Sequence, residues 1–308
     1  MNGRRIATVL LGALALAVLP IVIAGRPSGA QEPEGETIVV AMVPERNVFE
    51  QMKRFRPLQD YLSLSTGFTY RFAVMSSYYD AFIALSNGKA QAAILGSAAA
   101  FLAVEQGRGE IIGRPLWKNG TATYRAIIIA RKDAGISSVG DLKGKRYAFV
   151  NSLSTGGWIF DRWALSQRGI KTLAGFLGMH IIAGSHDVVV EAVYRGHVDA
   201  GGCKDLVWER KRKEFPDLTE KVVVIARSQA LPESSLIVSH SMPAPQQALL
   251  RDTLFAMHTK QDGQQALEEM GMTKFIPAAK GEFDYLRGLF RDLGLDPKKY
   301  DDLFPPAP

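Results

Sequence analysis

Tyr147-Ala-Phe-Val-Asn-Ser-Leu-Ser-Thr-Gly-Gly-Trp158 runs from strand to helix through a turn of small residues. The aromatic-rich segment 147–150 predicts a strand, and Gly157–Arg168 places apolar residues at helical spacing. The same unit recurs on both sides. Upstream, strands are predicted over Thr37–Val43, Phe68–Val74 and Ala92–Leu95, with helices over Val48–Leu64, Tyr79–Asn87 and Ala98–Glu105. Downstream come strands at His180–Ala183, Ala200–Gly201, Val222–Ala226 and Leu236–Ser239, with helices at Val188–Tyr194 and Asp205–Glu214. Strands alternating with amphipathic stretches give an α/β class, mostly parallel sheets with helices on both faces.

With 308 residues, 47% hydrophobic and 22% charged, the chain must build a core, and its length predicts two lobes of roughly 100–150 residues each. The turn at Asp133-Ala-Gly135 suggests where a second lobe begins. The last helices, bounded by Pro243, Pro245, Gly271 and Pro277, have no sheet of their own large enough to cover. They are expected to return to the first lobe. This predicts a discontinuous first lobe, 31–129 plus 232–308, a second lobe over 130–231, and crossings near 128–132 and 228–233.

The formal charge is +6, but Arg4, Arg5 and Arg26 lie in a segment expected to be removed. From Gln31 onward, 34 basic residues face 31 acidic ones, which argues against a nucleic-acid surface. Arg4-Arg5, an apolar run from Ile6 to Ala24 and the small residues Ser28-Gly29-Ala30 predict a secretory signal over 1–30 and a periplasmic location. A retained anchor is the alternative. No cysteine follows the run, which excludes a lipoprotein anchor. The single cysteine, Cys203, excludes an internal disulfide framework and every multi-cysteine metal site. His180, His197, His240 and His258 lack metal-ligand spacing, so neither a metal nor a cofactor is expected.

The turn Ser154-Thr155-Gly156-Gly157 suits an oxyanion. A helix start leaves backbone N–H groups unpaired and carries partial positive charge, glycine admits a ligand close to the main chain, and Ser and Thr add hydroxyl donors. A simple helix cap is the other reading. The turn lacks the lysine of a nucleotide-binding loop, so a nucleoside triphosphate is not implied. Two further small-residue turns, Leu95-Gly-Ser-Ala-Ala99 and Met75-Ser-Ser-Tyr-Tyr79, also join strands to helices. In open parallel sheets such loops gather at the carboxyl ends of the strands, where they line one cleft.

The ordered set of Tyr79, Leu95-Gly96-Ser97, Gly120 through Tyr124, Asp141-Leu-Lys-Gly-Lys145, Ser154-Thr155-Gly156, Gly184-Ser-His-Asp187 and Gly196-His-Val-Asp-Ala-Gly201 resembles the phosphonate- and phosphite-binding periplasmic receptors of ABC transporters. The resemblance covers residues 37–290. It implies a two-lobed type II periplasmic-binding fold that closes over a tetrahedral oxyanion and hands it to an inner-membrane permease. By position it implies hydroxyl donors at Tyr79, Ser97 and Tyr124 in or beside the first lobe. In the second lobe it implies Ser154, Thr155 and amides near Gly156, an imidazole donor at His186, and Asp187 as a cap or a brace for the histidine.

Two departures bear on specificity. Family members often carry a third hydroxyl where Gly156 stands. The strand end after Gly202 reads Cys203-Lys204-Asp205: a lysine at the cleft suits a more highly charged anion, an acidic neighbour suits a ligand with an amine, and a solvated lysine at a helix start is the plainer reading. Arg46, after the first strand, reaches either the cleft or the surface. The resulting expectation is a monomeric, non-enzymatic receptor. A partner of a sensor histidine kinase, a receptor for a sulfonate or other anion, and a cleft enzyme acting on phosphorus esters are the rivals.

Overall fold

The computed structural model describes residues 36–299, and the expected leader lies outside them. From β1 (Thr37–Met42) the chain passes through α1 (Val48–Thr66), β2 (Thr69–Val74), α2 (Tyr78–Ser86), β3 (Ala92–Gly96), α3 (Ser97–Glu105) and β4 (Gly109–Trp117). It crosses and builds β5 (Thr123–Arg131), β6 (Arg146–Phe149), α4 (Phe160–Ser166), β7 (Met179–Ile182), α5 (His186–Tyr194), β8 (Ala200–Lys204), α6 (Asp205–Glu214), α7 (Leu218–Lys221) and β9 (Val222–Pro232). It then returns through β10 (Ser234–Ser239), α8 (Ala244–Ala256), α9 (Gln261–Met270), β11 (Met272–Ile276) and α10 (Asp284–Asp292).

Two sheets result, ordered β11-β4-β10-β3-β1-β2 and β7-β6-β8-β5-β9. Each carries a parallel half made of strand-helix-strand units: β2-β1-β3 in the first, β7-β6-β8 in the second. The remaining pairings are antiparallel, so the sheets are more mixed than the α/β alternation predicts. The reason is the crossing. Strands β4 and β5 leave the first sheet for the second, and β9 and β10 come back beside them. The two crossing segments are themselves hydrogen-bonded, Glu233 N donating to Ala122 O at 3.0 Å, so the lobes are joined by a paired ribbon.

Residues 124–130, most of them on the first-lobe side of the expected boundary, lie wholly in β5, between β8 and β9. The first crossing therefore falls over 118–122 and not 128–132, and a boundary at 129/130 cuts through a strand of the second sheet. The late helices divide as well. Helices α8 and α9 close over the first sheet, where Leu250, Leu254 and Leu267 join Phe55, Leu58 and Leu62 of α1 in one apolar cluster. Each fully buried aliphatic or aromatic side chain there contributes about 1.5–3 kcal/mol. Helix α10 does otherwise: Phe290 meets Phe101 of α3 edge-on at 5.2 Å between ring centroids, and Asp292 accepts from Trp163 Nε1 of α4 at 3.0 Å. It braces both lobes. Among the described residues no helix is long and apolar enough to cross a membrane.

Candidate functional site

The turn after β6 begins with Ser154 and enters a π-type turn, Thr155–Ile159, ahead of α4. Ile159 N donates to Ser154 O at 3.1 Å, so the amides of 155–158 precede the helical ladder. Glycine is required at 157 and favoured at 156. A Cβ at Gly157 would lie 2.3 Å from Val150 Cγ2, and one at Gly156 would lie 3.1 Å from the Tyr124 ring. The second is a tight contact, so a side chain at 156 would have to push the Tyr124 ring back by a few tenths of an ångström.

Ser154 and Thr155 are both buried, and the Thr155 hydroxyl meets no hydrogen-bond partner in good geometry among the described residues, although it lies close enough to the Tyr124 phenol, whose pKa burial raises, to pull that pKa back down in part. His186, the first residue of α5, brings Nε2 to 3.4 Å from Ser154 Oγ. Its Nδ1 accepts the Lys204 amide at 3.3 Å, which leaves the ring proton on Nε2, facing Ser154. Burial, then the charges of Lys204 and Arg210, hold the imidazole well below its usual pKa, so the ring is neutral. Ser185 caps α5 by accepting from Val188 N at 3.3 Å. The expected capping or histidine-bracing role of Asp187 is thus not seen: its carboxylate pairs with Arg210 of α6.

On the first lobe the expected tyrosine is displaced by one position. Tyr79 is 42% exposed, whereas Tyr78 is 2% exposed and its hydroxyl has no hydrogen-bond partner among the described residues. Ser77 caps α2 by accepting from Asp80 N, which makes Tyr78 the first helical residue and turns it inward. Burial, then the Glu45 charge, pushes the Tyr78 phenol well up, so it stays protonated and able to donate. Tyr124 is buried across from it. Ser97 Oγ lies 2.5 Å from Pro232 O, which takes its proton, and 3.2 Å from Tyr124 Oη, which is left to donate to Ser97. Ser97 and Tyr124 therefore tie α3 to the ribbon.

Lys204 is buried, not solvated, at 4% exposure. Its ammonium bonds Glu45 and lies 3.1 Å from Glu233 Oε1 and 5.0 Å from the centroid of the Tyr124 ring. Burial alone would lower the Lys204 pKa, but Glu233 and Glu45 outweigh it and hold the ammonium well above its usual range. Burial pushes the Glu233 carboxyl up, and Lys204, with Ser234 and Arg54, pulls it below its usual range. The other Glu233 oxygen accepts from Trp117 Nε1 at 3.3 Å. Gln51 of α1 shapes the Glu45 loop, donating to Val43 O at 2.7 Å and accepting from the Glu45 amide at 3.0 Å.

Glu45, Lys204 and Glu233 also wall a cavity of about 310 Å3, together with Arg46, Arg54, Trp117, Lys118 and Arg210. Arg46 thus faces the cleft. Burial and the Arg46 charge bring the Arg54 guanidinium down to about 10, still charged at neutral pH. Cys203 does not join this wall: it is fully buried in the core, and burial pushes its thiol well up. Asp205 braces β5 and β9 instead, accepting from Arg125 N at 2.9 Å and lying 3.5 Å from Arg227 Nη1.

Sequence reasoning missed Tyr78, Glu45, Glu233, Arg54 and Arg210. Two signals were present. Glu233 stands in the expected second crossing, where a charged side chain faces both lobes, and Glu45 adjoins Arg46 in the loop after the first strand.

Two lobes on a paired ribbon, with polar side chains of both meeting in the cleft, define the class as a two-lobed solute-binding protein. Residues 40–283 match the family of periplasmic phosphonate substrate-binding proteins of ABC transporters, and the chain belongs to that family. It is 26% identical over 206 residues to the phosphate-import protein PhnD of Mycolicibacterium smegmatis, covering 62% of this chain and 64% of that relative's length. A binding-protein component of an ABC phosphonate transporter from Pseudomonas aeruginosa shares the fold with a TM-score of 0.76 at 20% identity, over 85% of this chain and 87% of that one. So does PhnD1 from Prochlorococcus marinus, solved in complex with methylphosphonate, with a TM-score of 0.72 at 18% identity over 84% and 98% of the two chains.

Proposed function

We propose that the protein is exported to the periplasm, captures a small tetrahedral oxyanion (phosphonate, phosphite or phosphate) between its lobes, and delivers it as a monomer to an ABC permease. One observation carries the reading: the buried hydroxyls of Tyr78 and Thr155, from opposite lobes, find no hydrogen-bond partner in good geometry among the described residues, and Thr155 adjoins Ser154, whose hydroxyl faces the Nε2–H of His186. Unsatisfied buried donors cost about 1–3 kcal/mol each, and an oxyanion satisfies several at once. The donors are neutral and convergent, so they hold the anion without activating a nucleophile. Ligand contact with both lobes favours the closed form.

A thermal-shift screen against phosphite, methylphosphonate, aminoethylphosphonate, phosphate, sulfate, arsenite and taurine tests the reading. Selective stabilisation by a phosphorus oxyanion is expected, worth about 2.7 kcal/mol at a hundredfold excess over Kd. No shift with any of them defeats it. Ser154→Ala or Thr155→Val should weaken binding by roughly 1.5–3 kcal/mol, the range for hydrogen bonds to charged groups, while Thr155→Val, which removes an unsatisfied buried hydroxyl, should raise the apo melting temperature.

A further inference from the structure

We propose that Lys204 is a built-in counter-cation filling the cation subsite formed by Glu45 and Glu233, so that the protein selects oxyanions with uncharged substituents over their ammonium-bearing counterparts. The inference rests on the oxyanion reading of the cleft. Two carboxylates from distant parts of the chain converge on one point, Glu45 from the loop after β1 and Glu233 from the ribbon. Brought together in a buried site they repel each other, and a cation between them relieves this. In an open binding cleft that position is available to a positively charged group on a ligand. Here the chain supplies the charge itself, from the end of β8 in the other lobe.

The ammonium has three protons. Two are directed to Glu45 and Glu233, and the remaining side of the group lies against the Tyr124 ring. A ligand ammonium entering the same region finds both carboxylates already paired. It also meets like charge from Lys204 and from Arg46, Arg54 and Arg210 around the cavity. Its own desolvation goes uncompensated. An uncharged or anionic substituent meets none of these penalties.

Calorimetric titration of the wild-type protein with propylphosphonate and 2-aminoethylphosphonate, which differ by a terminal methyl against an ammonium, reads the selection directly. The amine should bind at least tenfold more weakly. In Lys204→Met the carboxylates lose their cation, and the ratio should shift by tenfold or more towards the amine, while Lys204→Arg should keep the wild-type order. Equal or tighter binding of the amine by wild-type protein overturns the proposal, as does an unchanged ratio in folded Lys204→Met. If that variant does not fold, the wild-type ratio alone decides. Failure of folded wild-type protein to bind any phosphonate, phosphite or phosphate overturns the oxyanion reading and this inference with it, whereas equal binding of the two tails overturns this inference alone.

Discussion

Tyr78 and Tyr79 show how much one helical step decides. Adjacent side chains on a helix point about 100° apart, so one tyrosine enters the cleft region and its neighbour meets solvent. Tyr78→Phe should weaken oxyanion binding roughly ten- to a hundredfold, the loss of one hydrogen bond to a charged group of about 1.5–3 kcal/mol, and Tyr79→Phe should leave it unchanged. Titration calorimetry on both variants checks this, and the reverse pattern would restore the exposed residue. The sequence could not choose between them because Ser76 and Ser77 are both able to cap α2. Ser77 takes the role, and Ser76 instead bonds Asp80. Lys204 was visible as a departure at a strand end, but its partners were not: Glu45 lies 159 residues away and Glu233 lies 29 away, with no local pattern linking them.

Element packing explains a second unusual residue. Asp161 of α4 is fully buried under β8, where a Cβ at Gly202 would lie 1.9 Å from its Oδ2, so glycine is what lets the helix approach the strand. Neither carboxyl oxygen finds a hydrogen-bond partner in good geometry among the described residues. Burial, opposed by a smaller pull from Tyr147, holds the Asp161 carboxyl well above its usual range. An unfolded aspartate releases its proton near a pKa of about 3.9, while the folded protein keeps it; the native state then binds more protons and stability falls as pH rises beyond that value. Asp161→Asn should therefore melt higher than wild type at pH 8, by roughly 2–4 °C per kcal/mol relieved, with the gap narrowing towards pH 4. Melting curves across that range test it, and a gap independent of pH would contradict the assignment. The strands and helices themselves were legible because caps, glycines and periodicity are local signals, as in the 147–158 turn. Sheet membership was not: β5 reads as a strand in either lobe, and only its pairing with β8 and β9 assigns it to the second.

For the molecule as a whole, the proposed function requires closure and binding to be one event. The ribbon holds the lobes at Ala122 and Glu233, α10 braces them through Phe101 and Trp163, and the polar side chains of the cleft come from both. Lys204 of the second lobe already bonds Glu45 of the first, an interlobe link to which a ligand held by both lobes would add. A crystal structure of the protein with methylphosphonate puts this to the test. The phosphonate oxygens should lie within hydrogen-bond reach of Ser154, Thr155 and His186 on one side and Tyr78 on the other. A ligand bound outside the cleft, or held by one lobe alone, would contradict the account.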